Sequence, residues 1–101
     1  MTLPLILRPE AVHDLIVAHE WYEEQKVTLG ADFLAQASAI FDRIRAFPEM
    51  YGIIWQDVRS CSLRRFPYVV YYRVLAERIE VLAVLHGSLN PALWQTRTSD
   101  N

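Results

Sequence analysis

The chain has 101 residues, enough for one domain and too few for two. Hydrophobic residues make up 52% of it and charged residues 22%, a mix that excludes wholesale disorder. The net charge of −2 is unevenly spread: residues 1–57 carry four Lys/Arg against nine Asp/Glu, and residues 58–101 carry six against three, so general nucleic-acid affinity is not the expected business, while the second half keeps a surface for anions.

Thr2 to Leu7 is apolar and bounded by Arg8-Pro9, which predicts a short buried strand. Pro9 then suits the first turn of a helix, with Glu10 and Asp14 at its positive end. Ala11, Val12, Leu15, Ala18, His19 and Tyr22 make one apolar stripe to about Lys26. Thr28 is the expected N-cap of a second helix, whose stripe runs through Phe33, Leu34, Ala37, Ile40, Phe41, Ile44 and Phe47 until Pro48 stops it. The short break between the two stripes predicts an antiparallel helix hairpin.

Cys61 and Leu63 alternate with Ser60, Ser62 and Arg64, as on a half-exposed strand, and Pro67 breaks the line. Tyr68 to Leu75 is dense in strand formers. After Ala76-Glu77, the run Ile79 to His86 is apolar on both alternating sets, as in a strand covered on both faces. Asn90-Pro91 opens a short helix carrying Trp94. The expected fold is α+β, in the order βααβββ, with the helix hairpin packed on a mainly antiparallel sheet. Residues 1–97 form the expected domain and 98–101 a polar tail.

A single cysteine, Cys61, excludes an internal disulfide and a cysteine-cluster zinc site. No apolar run approaches the ~18 residues of a membrane span, and the start lacks a basic leader, so a soluble, cytoplasmic protein is expected. His13 and His19, six apart on one helix, are not spaced as metal ligands, and no metal or cofactor is expected. His86 ends a strand before a glycine turn. There it would either move protons near neutral pH or lock the turn by a hydrogen bond. Arg59, Arg64, Arg65, Arg73 and Arg78 form a basic set whose guanidinium forks suit phosphates and carboxylates alike. Period-2 alternation puts Arg59 and Arg65 opposite Arg64; a charged sheet surface that deters aggregation is the other reading. Tyr68, Tyr71 and Tyr72 would stack on bases or pack at strand period.

The runs Trp21-Tyr22-Glu23, Leu29-Gly30-Ala31-Asp32-Phe33 and Phe47-Pro48-Glu49-Met50-Tyr51 resemble the RelE/ParE superfamily of bacterial toxins. So do Val58-Arg59, the stretch from Leu63 through Arg64-Arg65-Phe66-Pro67-Tyr68 to Val74, and the tail Ile79 to Gly87 with Pro91 and Trp94. Their order and spacing carry the resemblance from about Leu5 to Arg97, on the ParE-like, plasmid-stabilisation side. It implies a βααβββ toxin and a cognate antitoxin encoded beside it, with Arg64, Arg65, Arg73 and Trp94 as partner-binding residues. One branch cleaves messenger RNA on the ribosome. That chemistry would use Arg59, Arg64, Arg65 and Arg73 for phosphate charge and Tyr72 or His86 for proton transfer. The ParE-like branch is associated with poisoning DNA gyrase. Cleaving relatives carry a basic residue just after the glycine matching Gly87, where this chain has Ser88 and Leu89. That departure, with a pI near 5.9, points to the ParE-like branch. The alternatives are the ribosome-dependent nuclease and a decayed toxin that only binds its antitoxin.

Overall fold

The computed structural model describes residues 2–98. Strand β1 (Leu5–Leu7) hands the chain directly to helix α1 (Pro9–Gln25), because Pro9 needs no N–H partner in the first turn. Helix α2 (Leu29–Ala46) returns antiparallel to α1, as expected. Four strands follow: β2 (Ile53–Trp55), β3 (Val58–Ser62), β4 (Tyr68–Val74) and β5 (Ile79–His86). A short helix, α3 (Ala92–Gln95), runs into a single 3₁₀ turn over Thr96–Thr98. The sheet order is β1-β5-β4-β3-β2, with β1 parallel to β5 and every other pair antiparallel. The α+β architecture stands as expected. Thr98 lies in the 3₁₀ turn, and the rest of the expected tail lies outside the described residues.

The strand count differs from the expected βααβββ by one. Ile53–Trp55 is too short to show a period, yet it pairs with β3 through Ile53↔Arg59 and Trp55↔Val58. A tight turn at Gln56-Asp57 makes this hairpin, with Gln56 at φ 51°. Arg64 and Arg65 were expected on a strand, on opposite faces. Strand β3 ends at Ser62, however, and residues 63–67 form the connection to β4, closed by the Leu63 N–H donating to Tyr68 O at 2.9 Å. Pro67 within that connection cannot donate to a ladder.

The entry to α2 also differs. Thr28 precedes the helix at φ 77° and caps nothing with its side chain. The cap comes from α1: the Glu23 carboxylate accepts the N–H groups of Thr28 at 3.0 Å and Gly30 at 2.9 Å. These bonds hold the Glu23 carboxyl below its ordinary value, the Thr28 N–H contributing most. Gly30 is needed for the helices to approach, since a Cβ there would stand 2.7 Å from both His19 Cδ2 and His19 O.

The helix hairpin covers one face of the sheet. Phe33, Ala37, Ile40, Phe41 and Ile44 of α2 are buried with Val70, Tyr72, Val81 and Val84 of the sheet in one apolar cluster. Tyr22, Phe33, Phe66 and Tyr68 meet ring to ring inside it. Leu15 is only partly buried, and Val12, Leu34 and Phe47 of the expected stripes are exposed. Each helix therefore buries a narrower line than its periodicity marks out. The opposite face of the sheet has its own cluster of Val58, Tyr71, Leu82, Ala83 and Trp94. Strand β5 thus serves both clusters, which explains its apolar residues on both alternating sets.

Candidate functional site

The arginines singled out by sequence do different things. Arg59 turns inward: its Nη1 donates to Tyr51 O at 2.7 Å and Glu49 O at 3.2 Å. Tyr72, wholly buried, donates its hydroxyl to Pro48 O at 2.6 Å. Burial pushes its pKa up to about 12, the Arg59 charge opposing the shift. Together Arg59 and Tyr72 pin the loop between α2 and β2, the Phe47-Pro48-Glu49-Met50-Tyr51 run. Arg73 is buried against Glu80, Nε to Oε1 2.9 Å. Arg78 and Arg8 reach the other oxygen of Glu80 at 3.5 and 3.8 Å, so three guanidiniums share one carboxylate. Arg64 and Arg65 are exposed on the β3–β4 connection.

His86 locks its turn. Its Nδ1 accepts the Ser88 N–H at 3.1 Å and lies 2.8 Å from Ser88 Oγ, while its carbonyl accepts the Leu89 N–H at 3.1 Å. Its ring meets the Tyr68 ring edge-on at 5.6 Å. His86 pairs in register with Tyr68, and Glu80 pairs with Arg73, so His86 and Arg73 occupy opposite ends of the β4–β5 ladder. Six residues at ~3.3 Å each put their backbones roughly 20 Å apart. The structure therefore does not gather the candidate nuclease residues around one phosphate. Among the described residues no three His, Cys, Asp or Glu side chains converge to hold a metal ion, and no helix is long and apolar enough to cross a membrane.

Trp94 is buried, with 4% of its surface exposed. It stacks on Tyr71 at 4.6 Å and meets Trp55 edge-on at 5.8 Å. The Asn90 carboxamide oxygen accepts the Ala92 N–H at 2.9 Å and so starts α3, the role expected of Asn90-Pro91. Arg97 then ties the end of the described chain back to α1. Its guanidinium bonds Asp14 at 2.6 Å and Leu82 O at 3.1 Å, and Asp14 also accepts the Val84 N–H at 3.0 Å. Beyond the end of β1 these two side chains satisfy the outer edge of β5. Asp14 reads in sequence only as an acid at the helix start; the signal that would have found its role is its register with Ala11, Ala18 and Tyr22, all buried, and Arg97 carries no such signal.

A concavity of about 660 Å³ lies between α2 and β3. Arg43 and Arg64 line it with Gln36, Tyr51, Ser60 and Ser62. Ala39, Ile40 and Cys61 line its apolar part, and no carboxylate among the described residues lines it. The Tyr51 hydroxyl sits beside the Cys61 thiol, which together with burial raises its pKa, and beside the Arg43 guanidinium, which opposes that rise. Arg43 was missed in the sequence because an arginine in the last turns of a striped helix looks like any solvated cation. A second groove, of about 420 Å³, is apolar and lies between α1 and the His86 end of the sheet, lined by Val17, Trp21, Tyr22, Pro67, Tyr68 and His86.

Residues 5–91 match the family model described as the ParE toxin of type II toxin–antitoxin system, parDE. Toxin ParE2 of Mycobacterium tuberculosis, in strain CDC 1551 / Oshkosh and strain ATCC 25618 / H37Rv alike, is 40% identical over 53 residues. The match covers 52% of this chain and 50% of those proteins, so the chain spans about half the length of these relatives. The solved structure titled "Chromosomal ParDE TA system from P. aeruginosa" superposes with a TM-score of 0.75 at 16% identity, over 83% of this chain and 95% of that one. At that identity the likeness is one of fold.

Proposed function

The chain belongs to the ParE toxin family of type II toxin–antitoxin systems, and from that premise we propose that it arrests growth by binding a protein target, with DNA gyrase the candidate, and not by catalysis. A cognate antitoxin neutralises it by covering its exposed apolar and cationic surface. The observation that carries this reading is how the proton-transfer candidates are employed. The Tyr72 hydroxyl is buried on Pro48 O, and His86 Nδ1 is held by Ser88 at the far end of the ladder from Arg73. Cleavage of a phosphodiester needs a proton acceptor, a proton donor and cations converging on one phosphate. Inhibition by binding needs only an exposed surface. That surface exists on α1, where Val12, Ile16, Val17 and Trp21 are 41–53% exposed.

The test pairs two assays on the purified protein. The expected result is inhibition of supercoiling by purified gyrase, with messenger RNA in a translating extract left intact. Codon-positioned cleavage that His86→Ala abolishes, with gyrase unaffected, would establish the nuclease instead. Inactivity in both assays, with tight antitoxin binding retained, would mark a decayed toxin.

A further inference from the structure

We propose that the groove between α2 and β3 is the seat of an acidic segment of the antitoxin, whose carboxylates lie against Arg43 and Arg64; this rests on the toxin–antitoxin reading above. The first ground is charge. The chain as a whole is acidic, with a net charge of −2, yet among the described residues two guanidiniums and no carboxylate line this groove. Most of the other arginines have partners inside the fold: Arg8, Arg73 and Arg78 have Glu80, Arg97 has Asp14, and Arg45 has Asp42. Arg59 donates from Nη1 to two backbone carbonyls. Among the described residues Arg43 and Arg64 form no ion pair, and the groove brings these two together across helix and strand. Guanidinium forks left in this way are complementary to carboxylates.

The second ground is what surrounds the charge. Ser60, Ser62 and Gln36 offer hydrogen bonds along the wall, and Ile40 offers an apolar floor. At the Tyr51 end the pinned loop exposes Phe47 and Met50, 62% and 51% accessible, and β2 beyond it exposes Ile53 and Ile54. A polynucleotide would ask for a continued series of cations along its backbone. Here cations give way to apolar side chains within one loop, which suits a peptide that alternates acidic and hydrophobic residues. The volume of about 660 Å³ suits a few side chains of such a segment. Because Arg59 and Tyr72 already fix the Tyr51 wall, little ordering of this side is needed on binding.

The probe is the protein encoded immediately beside this chain, co-expressed with it and then titrated against it. Restored growth on co-expression, and no restoration without it, is expected from the toxin–antitoxin reading. Failure to restore growth overturns that reading and this inference with it. Given restored growth, the double variant Arg43→Glu/Arg64→Glu is expected to raise the Kd by at least about tenfold and to flatten its dependence on salt, with the urea midpoint of the free toxin unchanged. Lys26→Glu/Arg45→Glu, an equal change of charge at two exposed cations outside the groove, is the control and is expected to leave the Kd near the wild-type value. An unchanged Kd in the Arg43/Arg64 double variant, or an equal loss in the control, overturns the groove and leaves the toxin–antitoxin reading standing. If the reversals compromise folding, Arg43→Gln/Arg64→Gln is expected to move the Kd in the same direction, and no movement there is equally decisive against the groove.

Discussion

Around Glu80 three guanidiniums share one carboxylate; in the groove between α2 and β3 two guanidiniums share none. The first group joins strands β4 and β5 to the residue before α1, and its central pair, Arg73 and Glu80, is buried. The second lines open space between a helix and a strand. The same residue type is therefore engaged inside the fold in one region and left open to solvent in the other. What separates them is whether the fold supplies an acid within reach. A buried ion pair contributes little over an apolar pair of the same shape, but removing one partner leaves an uncompensated charge. An exposed arginine costs nothing to remove from the fold and matters only when something binds it.

The sharpest way to break this contrast is at Glu80. Glu80→Gln takes the carboxylate charge away from the buried Arg73 guanidinium and is expected to destabilise by about 3–5 kcal/mol in a urea melt. That is a large part of the roughly 5–15 kcal/mol that holds a small domain together. Arg64→Gln in the same experiment is expected to leave the midpoint where it was. Equal effects at the two sites would erase the distinction.

Next in size is the clasp between α1 and the 3₁₀ turn that follows α3. Asp14→Asn keeps the shape but removes the charge that accepts from Arg97 and from the Val84 N–H. Hydrogen bonds to charged groups of this kind contribute about 1.5–3 kcal/mol, and a loss of that order is expected. Faster amide exchange at Val84 and Trp94 is the accompanying signature, because the clasp holds the outer edge of β5 and the helix that carries Trp94.

Tyr72→Phe is a smaller change that touches both functions of the molecule. It leaves Pro48 O without its donor and is expected to cost about 1 kcal/mol. It also loosens the loop that carries Tyr51, so antitoxin affinity is expected to fall although Tyr72 itself is out of reach. A loss of stability with no change in affinity would separate the loop from the groove.

The smallest effect is a dependence on pH. Glu23 is ionised in the fold below its ordinary pKa of 4.5, chiefly because the Thr28 N–H bonds its carboxylate. A depressed carboxyl contributes stability above its unfolded pKa, and that contribution fades as pH falls through the folded value. Glu23→Gln is therefore expected to lower stability at neutral pH and to make the acid limb of a pH–stability curve shallower. An unaltered acid limb would assign the cap of α2 elsewhere.

These regions also differ in how far the sequence discloses them. The helix hairpin was legible because Phe33, Ala37, Ile40, Phe41 and Ile44 repeat at the helical period and all proved buried. Strand β5 was legible from its two apolar sets. Strand β2 was not, since three residues carry no period and their pairing is made by β3 and the turn at Gln56. Thr28 holds the N-cap position of α2 as its sequence suggests, but the capping bonds come from Glu23 on the preceding helix and leave no local pattern. The arginines were legible as a set but not as individuals. Arg59, Arg64 and Arg73 look alike in a strand-rich half; the β4–β5 register decides that Arg73 meets Glu80, and the end of β3 at Ser62 leaves Arg64 on a connection open to solvent. Arg43 joins Arg64 only through the packing of α2 against β3, a contact with no counterpart in the linear order.

The most direct test of the contrast is to follow the arginine Nε–Hε groups by NMR in the isotope-labelled toxin, free and then titrated with the antitoxin. In the free protein the Arg73 Hε is expected to be protected from exchange by Glu80, and those of Arg43 and Arg64 to exchange with solvent. On titration Arg43 and Arg64 are expected to shift and gain protection in step with complex formation, while Arg73 holds its position. Arg43 and Arg64 left unmoved in a saturated complex, or Arg73 shifting in their place, would contradict the division between arginines that hold the fold and arginines that hold the partner.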